Sequence, residues 1–250
     1  MDELKTILSC IDLTSLDGAD NNSKIISFCR EAKSFGEKGF PLPATVCVYP
    51  VFARIARQEL SGSGIGVASV AGAFPSGQSP LKIRVDEVRF ALEEGAQEID
   101  MVISRGKFLE GNEQAVYDEI AAVRALPGEF LLKVILETGE LKTPENIRRA
   151  AEIAIVAGAD FIKTSTGKIS QGATPEAVSV MLDVIRHHFH KTGKLIGIKP
   201  SGGISEPRQA LSYYRQVEQI AGKEWLNKKY FRIGASRLAN ALVHEISSRS

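Results

Sequence analysis

Apolar and β-branched residues gather along the chain in eight short segments, at residues 10–14, 45–49, 66–71, 98–103, 130–137, 161–166, 195–199 and 230–234. Several are continuous rather than alternating, the pattern of parallel strands covered on both faces. Their starts mostly recur every 31–35 residues, with one short step from 45 to 66. That interval holds a strand, a helix of roughly three or four turns and two loops. The stretches between them carry helical stripes: Leu81, Val85, Val88 and Leu92, and again Val178, Leu182, Ile185 and Phe189. Thr143-Pro144-Glu145 and Thr174-Pro175-Glu176 place a capping hydroxyl, a proline and an acid where helices start, and Ser79-Pro80 marks a third start. Gly95 and Gly158 are placed to end helices.

Eight strand–helix units in 250 residues predict an α/β fold, a single (β/α)₈ TIM barrel spanning residues 1–250. A doubly wound open sheet is the competing arrangement, because βαβ patterning does not by itself reveal closure. No Pro/Ser-rich linker or low-complexity tract divides the chain.

Composition narrows the function classes. The chain is 44% hydrophobic and 24% charged, and 31 Lys+Arg against 30 Asp+Glu leave a net charge of +1. Such balance supplies no field to draw nucleic acid or an anionic membrane, so neither is expected as a partner. Cys10, Cys29 and Cys47 are an odd number without paired spacing, which argues against a disulfide framework or a zinc ribbon. The N-terminal residues lack a secretory pattern and no run of 18 apolar residues occurs, so a cytoplasmic location is expected.

Two lysines sit at strand positions. Lys163 follows Phe161-Ile162, and Lys199 ends Ile196-Gly197-Ile198-Lys199 on the next strand. A lysine buried in a strand is costly unless paired or neutral, and two on adjacent strands push each other toward neutrality. Depression of one from about 10.4 toward 7–8 yields an amine able to attack a carbonyl. Asp100 stands five residues beyond Gly95, as Lys163 stands five beyond Gly158. Both belong to even-numbered strands, whose side chains fill the same barrel layers, so the two charges are expected in one interior region. Asp100 and Asp12 are candidate proton carriers. A lysine exposed at a strand end, carboxylates that merely neutralise buried charge, and a turn-forming Asp12 are the alternatives.

Glycine- and hydroxyl-rich turns follow the last three strands: Thr164-Ser165-Thr166-Gly167-Lys168, Ser201-Gly202-Gly203 and Gly234-Ala235-Ser236. Such turns let backbone N–H groups surround an anion, and barrels often hold phosphate after strands seven and eight. His187, His188 and His190 read as a solvated helix end, with no ligand partner at metal-binding spacing. Dinucleotide-binding and P-loop glycine patterns are absent, and Cys47 reads as a small barrel residue.

At these residues the chain resembles the deoxyribose-phosphate aldolases, class I aldolases on a (β/α)₈ barrel. The likeness runs end to end and is carried by Ile11-Asp12-Leu13-Thr14, Val46-Cys47-Val48-Tyr49-Pro50, Glu98-Ile99-Asp100, the stretch 131–141, Phe161-Ile162-Lys163-Thr164-Ser165-Thr166-Gly167-Lys168, Lys199-Pro200-Ser201-Gly202-Gly203 and Phe231-Arg232-Ile233-Gly234-Ala235-Ser236. The resemblance implies a lyase that cleaves 2-deoxy-D-ribose 5-phosphate reversibly to acetaldehyde and D-glyceraldehyde 3-phosphate, in deoxyribonucleoside breakdown, with no cofactor or metal. It implies that Lys163 forms the Schiff base, that Asp100 and Lys199 transfer protons, and that Lys199 depresses the Lys163 pKa. It places Gly167, Lys168, Gly202, Gly203, Gly234 and Ser236 around the 5-phosphate and Asp12 at a substrate-side polar position. A homodimer is also implied, although no heptad or apolar surface stripe supports it. Two departures touch the phosphate end: Ser205 stands where many relatives have arginine, and Arg237 where serine is common. Arg237, or Arg208, is expected to supply the missing cation. The chain also ends without the terminal tyrosine some relatives use near the substrate. A Schiff-base aldolase with another carbonyl donor, and a non-catalytic sugar-phosphate binder, are the remaining readings.

Overall fold

The computed structural model describes residues 3–249. Among these, eight parallel strands alternate with helices: β1 (Ile11–Thr14), β2 (Thr45–Val48), β3 (Gly66–Ala71), β4 (Glu98–Val102), β5 (Leu131–Ile135), β6 (Phe161–Lys163), β7 (Gly197–Lys199) and β8 (Ile233–Ala235). Neighbours in sequence are neighbours in the sheet from β1 to β7, and β8 pairs with β1 through Ile11↔Ile233, Asp12↔Gly234 and Leu13↔Ala235. Closure between β7 and β8 rests on two isolated bridges, Ile198↔Phe231 and Ser201↔Gly234. Across this seam Ile198 N–H donates to the Tyr230 carbonyl, Arg232 N–H to Ile198 and Gly234 N–H to Pro200. In a parallel ladder the intervening donor is residue 200, and proline has no N–H to give. The eighth seam is therefore closed with one rung missing. The result is the expected (β/α)₈ barrel, not an open sheet.

The helices form where the sequence signals place them. Thr143 caps the helix Pro144–Val156 by accepting from Asn146 N–H, and Thr174 caps Pro175–Thr192 by accepting from Ala177 N–H. Gly95 and Gly158 follow their helices with φ of +97° and +107°, where a Cβ would be strained. At the third start the register differs by one: Pro80 is itself the cap of the helix Leu81–Glu93, which has no side-chain cap bond. The stripe residues Val178, Leu182 and Ile185 are buried between barrel and solvent, whereas Leu81 stays partly exposed at its helix start. Two strand ends also differ. β6 stops at Lys163, although Thr164 N–H still donates to the Lys199 carbonyl; by Thr166 the backbone N–H turns to the Glu137 carboxylate, and β8 begins only at Ile233. Among the described residues no helix is long and apolar enough to cross a membrane.

The apolar core is mostly the layer between strands and helices. A smaller cluster of Leu16, Cys47, Ala68 and Val70, with Tyr49 and Phe74 against it, fills the β1–β3 side of the barrel's C-terminal end. The remainder of the interior is filled with charge.

Candidate active site

Inward-facing charges come from six strands or their margins: Asp12, Glu98, Asp100, Lys133, Lys163, Lys199 and Arg232, all under a tenth exposed. Period-two alternation puts Glu98 and Asp100 on the same face of β4. Sheet register sets Asp100 beside Lys133 and Lys163 beside Lys199. Near the N-terminal end, Arg232 grips Glu98 with two bonds of 2.9 and 3.0 Å and Asp12 with one of 2.6 Å. Its Nε donates to the Lys228 carbonyl, and its guanidinium stands 5.6 Å over the Phe161 ring. Lys133 lies above, 2.7 Å from Glu98, 2.8 Å from Asp100 and 3.3 Å from Asp12. Lys199 reaches Asp12 at 2.5 Å and Asp100 at 2.7 Å. Lys163 has one carboxylate partner among the described residues, Asp100 Oδ2, at 2.8 Å.

This arrangement gives the four cations different states. Three carboxylates are matched by Arg232, Lys133 and Lys199, and Lys163 is the surplus cation. Burial alone would lower Lys133, but Asp100, Asp12 and Glu98 hold it well above the ordinary lysine range. Burial likewise opposes charge on Lys199, and Asp100 with Asp12 raises it nonetheless. For Lys163 burial prevails: Asp100 pulls upward, Lys199 pushes downward, and the net direction is down. Burial also works against ionised Asp100 and Asp12, yet the surrounding ammonium and guanidinium groups keep both carboxyls below their ordinary range. The mutual neutralisation expected of the lysine pair is thus one-sided: Lys199 keeps its proton, and Lys163 yields its own more readily.

Lys163 is also the member of this set that lines a cavity. A cavity of about 570 Å³ opens at the C-terminal end of β6–β8 and β1, lined by Lys163 at its floor. Gly167, Lys168, Gly202, Gly203, Gly234 and Ser236 all line it, so the three turns singled out in the sequence converge there. Asp100, Lys199 and Asp12 lie beneath this lining. Asp12, expected on the substrate side, is fully buried and enclosed by Arg232, Lys199 and Lys133. Gly202 and Gly203 have φ of +86° and +78°, a backbone that side chains disfavour. Gly234 is needed for space: a Cβ there would stand 3.1 Å from Lys199 Cε and 2.9 Å from Ser201 Cβ. A glycine on β8 therefore makes room for the Lys199 stem.

The turns are tied to one another. Thr164 Oγ1 donates to the Ser201 carbonyl and accepts from Ser201 N–H at 2.9 Å, while Ser201 Oγ donates to the Ser165 carbonyl at 2.6 Å. Lys168 Nζ donates to the Leu16 carbonyl, bridging the cavity to the loop after β1. Arg237 lines the rim and forms no ion pair among the described residues, whereas Arg208 is not part of the lining. Cys47 adjoins the charged floor with its thiol pushed up to about 11, first by burial and then by Asp100, so it is a small neutral wall. His187, His188 and His190 lie in the last turns of the helix Pro175–Thr192, where Arg186 Nε donates to His190 Nε2 at 3.3 Å.

Sequence reasoning left Glu98, Lys133, Arg232 and Glu137 without roles. The signal for two of them was present: Lys133, between Leu132 and Val134, and Arg232, between Phe231 and Ile233, are each a lone charge flanked by apolar residues inside or beside a strand. Removing Arg232 tests the ion network. Arg232→Met leaves Glu98 without its guanidinium and Asp12 with lysines alone. A stability loss of about 3–5 kcal/mol is expected for such an uncompensated buried charge. That corresponds to a melting temperature lower by on the order of 10 °C. Calorimetry showing an unchanged melting temperature would refute the network's structural role.

Comparisons with known proteins agree with this geometry. A family model described as DeoC/LacD family aldolase matches residues 6–240. The chain is 45% identical over 249 residues to the deoxyribose-phosphate aldolase of Homo sapiens, covering 94% of this chain and 78% of that protein. It is 44% identical over 252 residues to the deoxyribose-phosphate aldolase of Bos taurus, covering 96% and 79%. Among solved structures, the tetrameric deoxyribose phosphate aldolase of Aeropyrum pernix superposes with a TM-score of 0.76 at 27% identity, covering 99% of this chain and 93% of that one.

Proposed function

As this chain belongs to the DeoC/LacD family of aldolases, we propose that it cleaves 2-deoxy-D-ribose 5-phosphate reversibly to acetaldehyde and D-glyceraldehyde 3-phosphate. The observation that carries the reading is Lys163: it is the surplus cation of the interior, its pKa is lowered, and it forms the floor of the cavity where the three glycine turns meet.

The neutral Lys163 amine attacks C1 of the open-chain sugar, and loss of water leaves a protonated imine. That imine withdraws the electron pair of the C2–C3 bond as a base takes the C3 hydroxyl proton. The pair left on the C3 oxygen forms the aldehyde carbonyl of glyceraldehyde 3-phosphate, and the pair of the broken C2–C3 bond forms the enamine as the imine π pair moves to nitrogen. Protonation at C2 and addition of water then release acetaldehyde and restore the amine. Asp100 Oδ2 lies between the Lys163 and Lys199 nitrogens, at 2.8 and 2.7 Å, which suits it to relay protons between them. Lys199, kept charged by Asp100 and Asp12, is the proton store.

The two sides of the site divide the substrate. Gly167, Lys168, Gly202, Gly203, Gly234 and Ser236 suit the 5-phosphate, with the N-terminus of the helix Leu238–Ser248 directly after them. On the other side, Leu16 lines the cavity and is backed by the buried apolar cluster of Cys47, Ala68 and Val70, which suits a small donor. Turnover assays with acetaldehyde, acetone and dihydroxyacetone as donors test this reading. Acetaldehyde is expected to be preferred, and equal use of dihydroxyacetone would overturn the donor assignment.

Arg237 supplies the cation that Ser205 does not. The Arg237→Ala variant is expected to raise KM for the phosphorylated sugar about tenfold, as loss of one charge-assisted bond does. Arg208→Ala serves as the comparison. An unchanged preference for phosphorylated over unphosphorylated sugar in the doubly substituted protein would refute the assignment. A homodimer and a cytoplasmic place of action belong to the same reading, and light scattering in solution tests the former.

A further inference from the structure

Glu137 stands two residues past the end of β5, with φ +56° and ψ +61°. This is the left-handed region, disfavoured for any residue that carries a Cβ. Glycine would relieve the backbone there, so a glutamate at this point calls for an account of its side chain. The residue is fully buried, and its carboxylate does not reach Lys163 or the ion network beneath it. Both oxygens turn instead to the next loop. The Thr166 N–H donates to Oε1 at 3.2 Å and to Oε2 at 3.4 Å, and Thr166 Oγ1 donates to Oε2 in a short bond. Thr166 Oγ1 then accepts from Lys168 N–H at 3.1 Å. Thr166, Gly167 and Lys168 line the cavity, so a carboxylate outside it organises one wall.

The amides of Thr166 and Lys168 are both engaged in this chain of bonds. Gly167 N–H, between them, has no hydrogen-bond partner among the described residues. The other charges near Glu137 are Arg105, at the start of the helix Arg105–Leu109, and Glu140, one turn on, and these two pair with each other. The carboxylate is therefore committed to the Thr166 turn.

We infer that Glu137 is a positioning residue for the anion-binding end of the site. Through Thr166 it fixes the turn after β6 with Gly167 N–H facing the phosphate. The inference rests on the proposed aldolase reading and extends it to a residue that never touches substrate.

The test uses Glu137→Gln and Thr166→Val, each assayed with 2-deoxyribose 5-phosphate and with unphosphorylated 2-deoxyribose. The readout is the ratio of the two kcat/KM values, which a general loss of folding or of imine chemistry does not move. In each variant the ratio is expected to fall about tenfold, the effect of a hydrogen bond lost from a preorganised donor. The double variant is expected to fall little further, because the residues act in series. Borohydride trapping of acetaldehyde on Lys163, which involves no phosphate, is run on every protein. If the unsubstituted protein neither traps acetaldehyde nor cleaves the sugar phosphate, the aldolase reading fails. If it does both and the variants keep the original ratio, or lose both substrates alike, the positioning role fails. Should Glu137→Gln not fold, Thr166→Val alone decides by the same ratio.

Discussion

Lys163→Ala is expected to lose more than about 10⁴-fold in kcat/KM for sugar-phosphate cleavage, because removing a covalent nucleophile removes the route and not merely a contact. The fold should survive. Lys163 is the surplus cation of the interior, so its removal leaves Asp12, Glu98 and Asp100 still matched by Lys133, Lys199 and Arg232. Borohydride reduction in the presence of acetaldehyde followed by peptide mapping checks the assignment directly. An ethyl group is expected on Lys163 and nowhere else, and none in the variant. An adduct on Lys199 instead would reverse the roles of the two lysines, and no adduct in a protein that still binds sugar phosphate would leave a binder without catalysis.

Lys199→Met is expected to produce the second large effect, a fall of about 10²–10⁴-fold at neutral pH from the loss of a proton carrier. It carries a signature that a simple deletion does not. Burial lowers the Lys163 pKa, Asp100 opposes this, and Lys199 is the nearest cation that assists it. Without Lys199 its share of the downward push is lost and only burial remains against Asp100, so Lys163 holds its proton more firmly. Attack requires the neutral amine. The rise of activity with pH should therefore move toward alkaline pH, and the residual activity should recover as pH increases. A profile that keeps its position while losing height would mean that Lys199 transfers protons without tuning Lys163.

Much of this site could be read from the chain because its parts are local or periodic. The equal offset of Asp100 and Lys163 from Gly95 and Gly158 places them at matching heights on even strands, and they meet at 2.8 Å. Glycine turns after three consecutive strands must converge at one end of a barrel, and they do. What the sequence could not supply was depth. Asp12 is separated from Arg232 by most of the chain, and only closure of β1 against β8 brings them to 2.6 Å, so its enclosure is a tertiary fact. The states of the two lysines depend on a count of neighbours, including Lys133 and Glu98, that strand spacing does not reveal. Glu137 was hidden for another reason: its role depends on a left-handed backbone at a residue whose type does not advertise one.

The missing rung at Pro200 has a further consequence. Local opening of a protein costs least where the fewest bonds must break, and here that place is the seam joining β7 to β8. The same seam separates the Gly202–Gly203 turn from the Gly234–Ser236 turn, so the barrel is least firmly shut at the site proposed for the phosphate. A phosphate held from both sides spans the gap. By mass action such a ligand stabilises the closed form in proportion to its occupancy. On the proposed reading the substrate's phosphate would be the last crosslink of the cylinder, so that empty and loaded proteins differ in how firmly the wall is joined, although the strands themselves need not move.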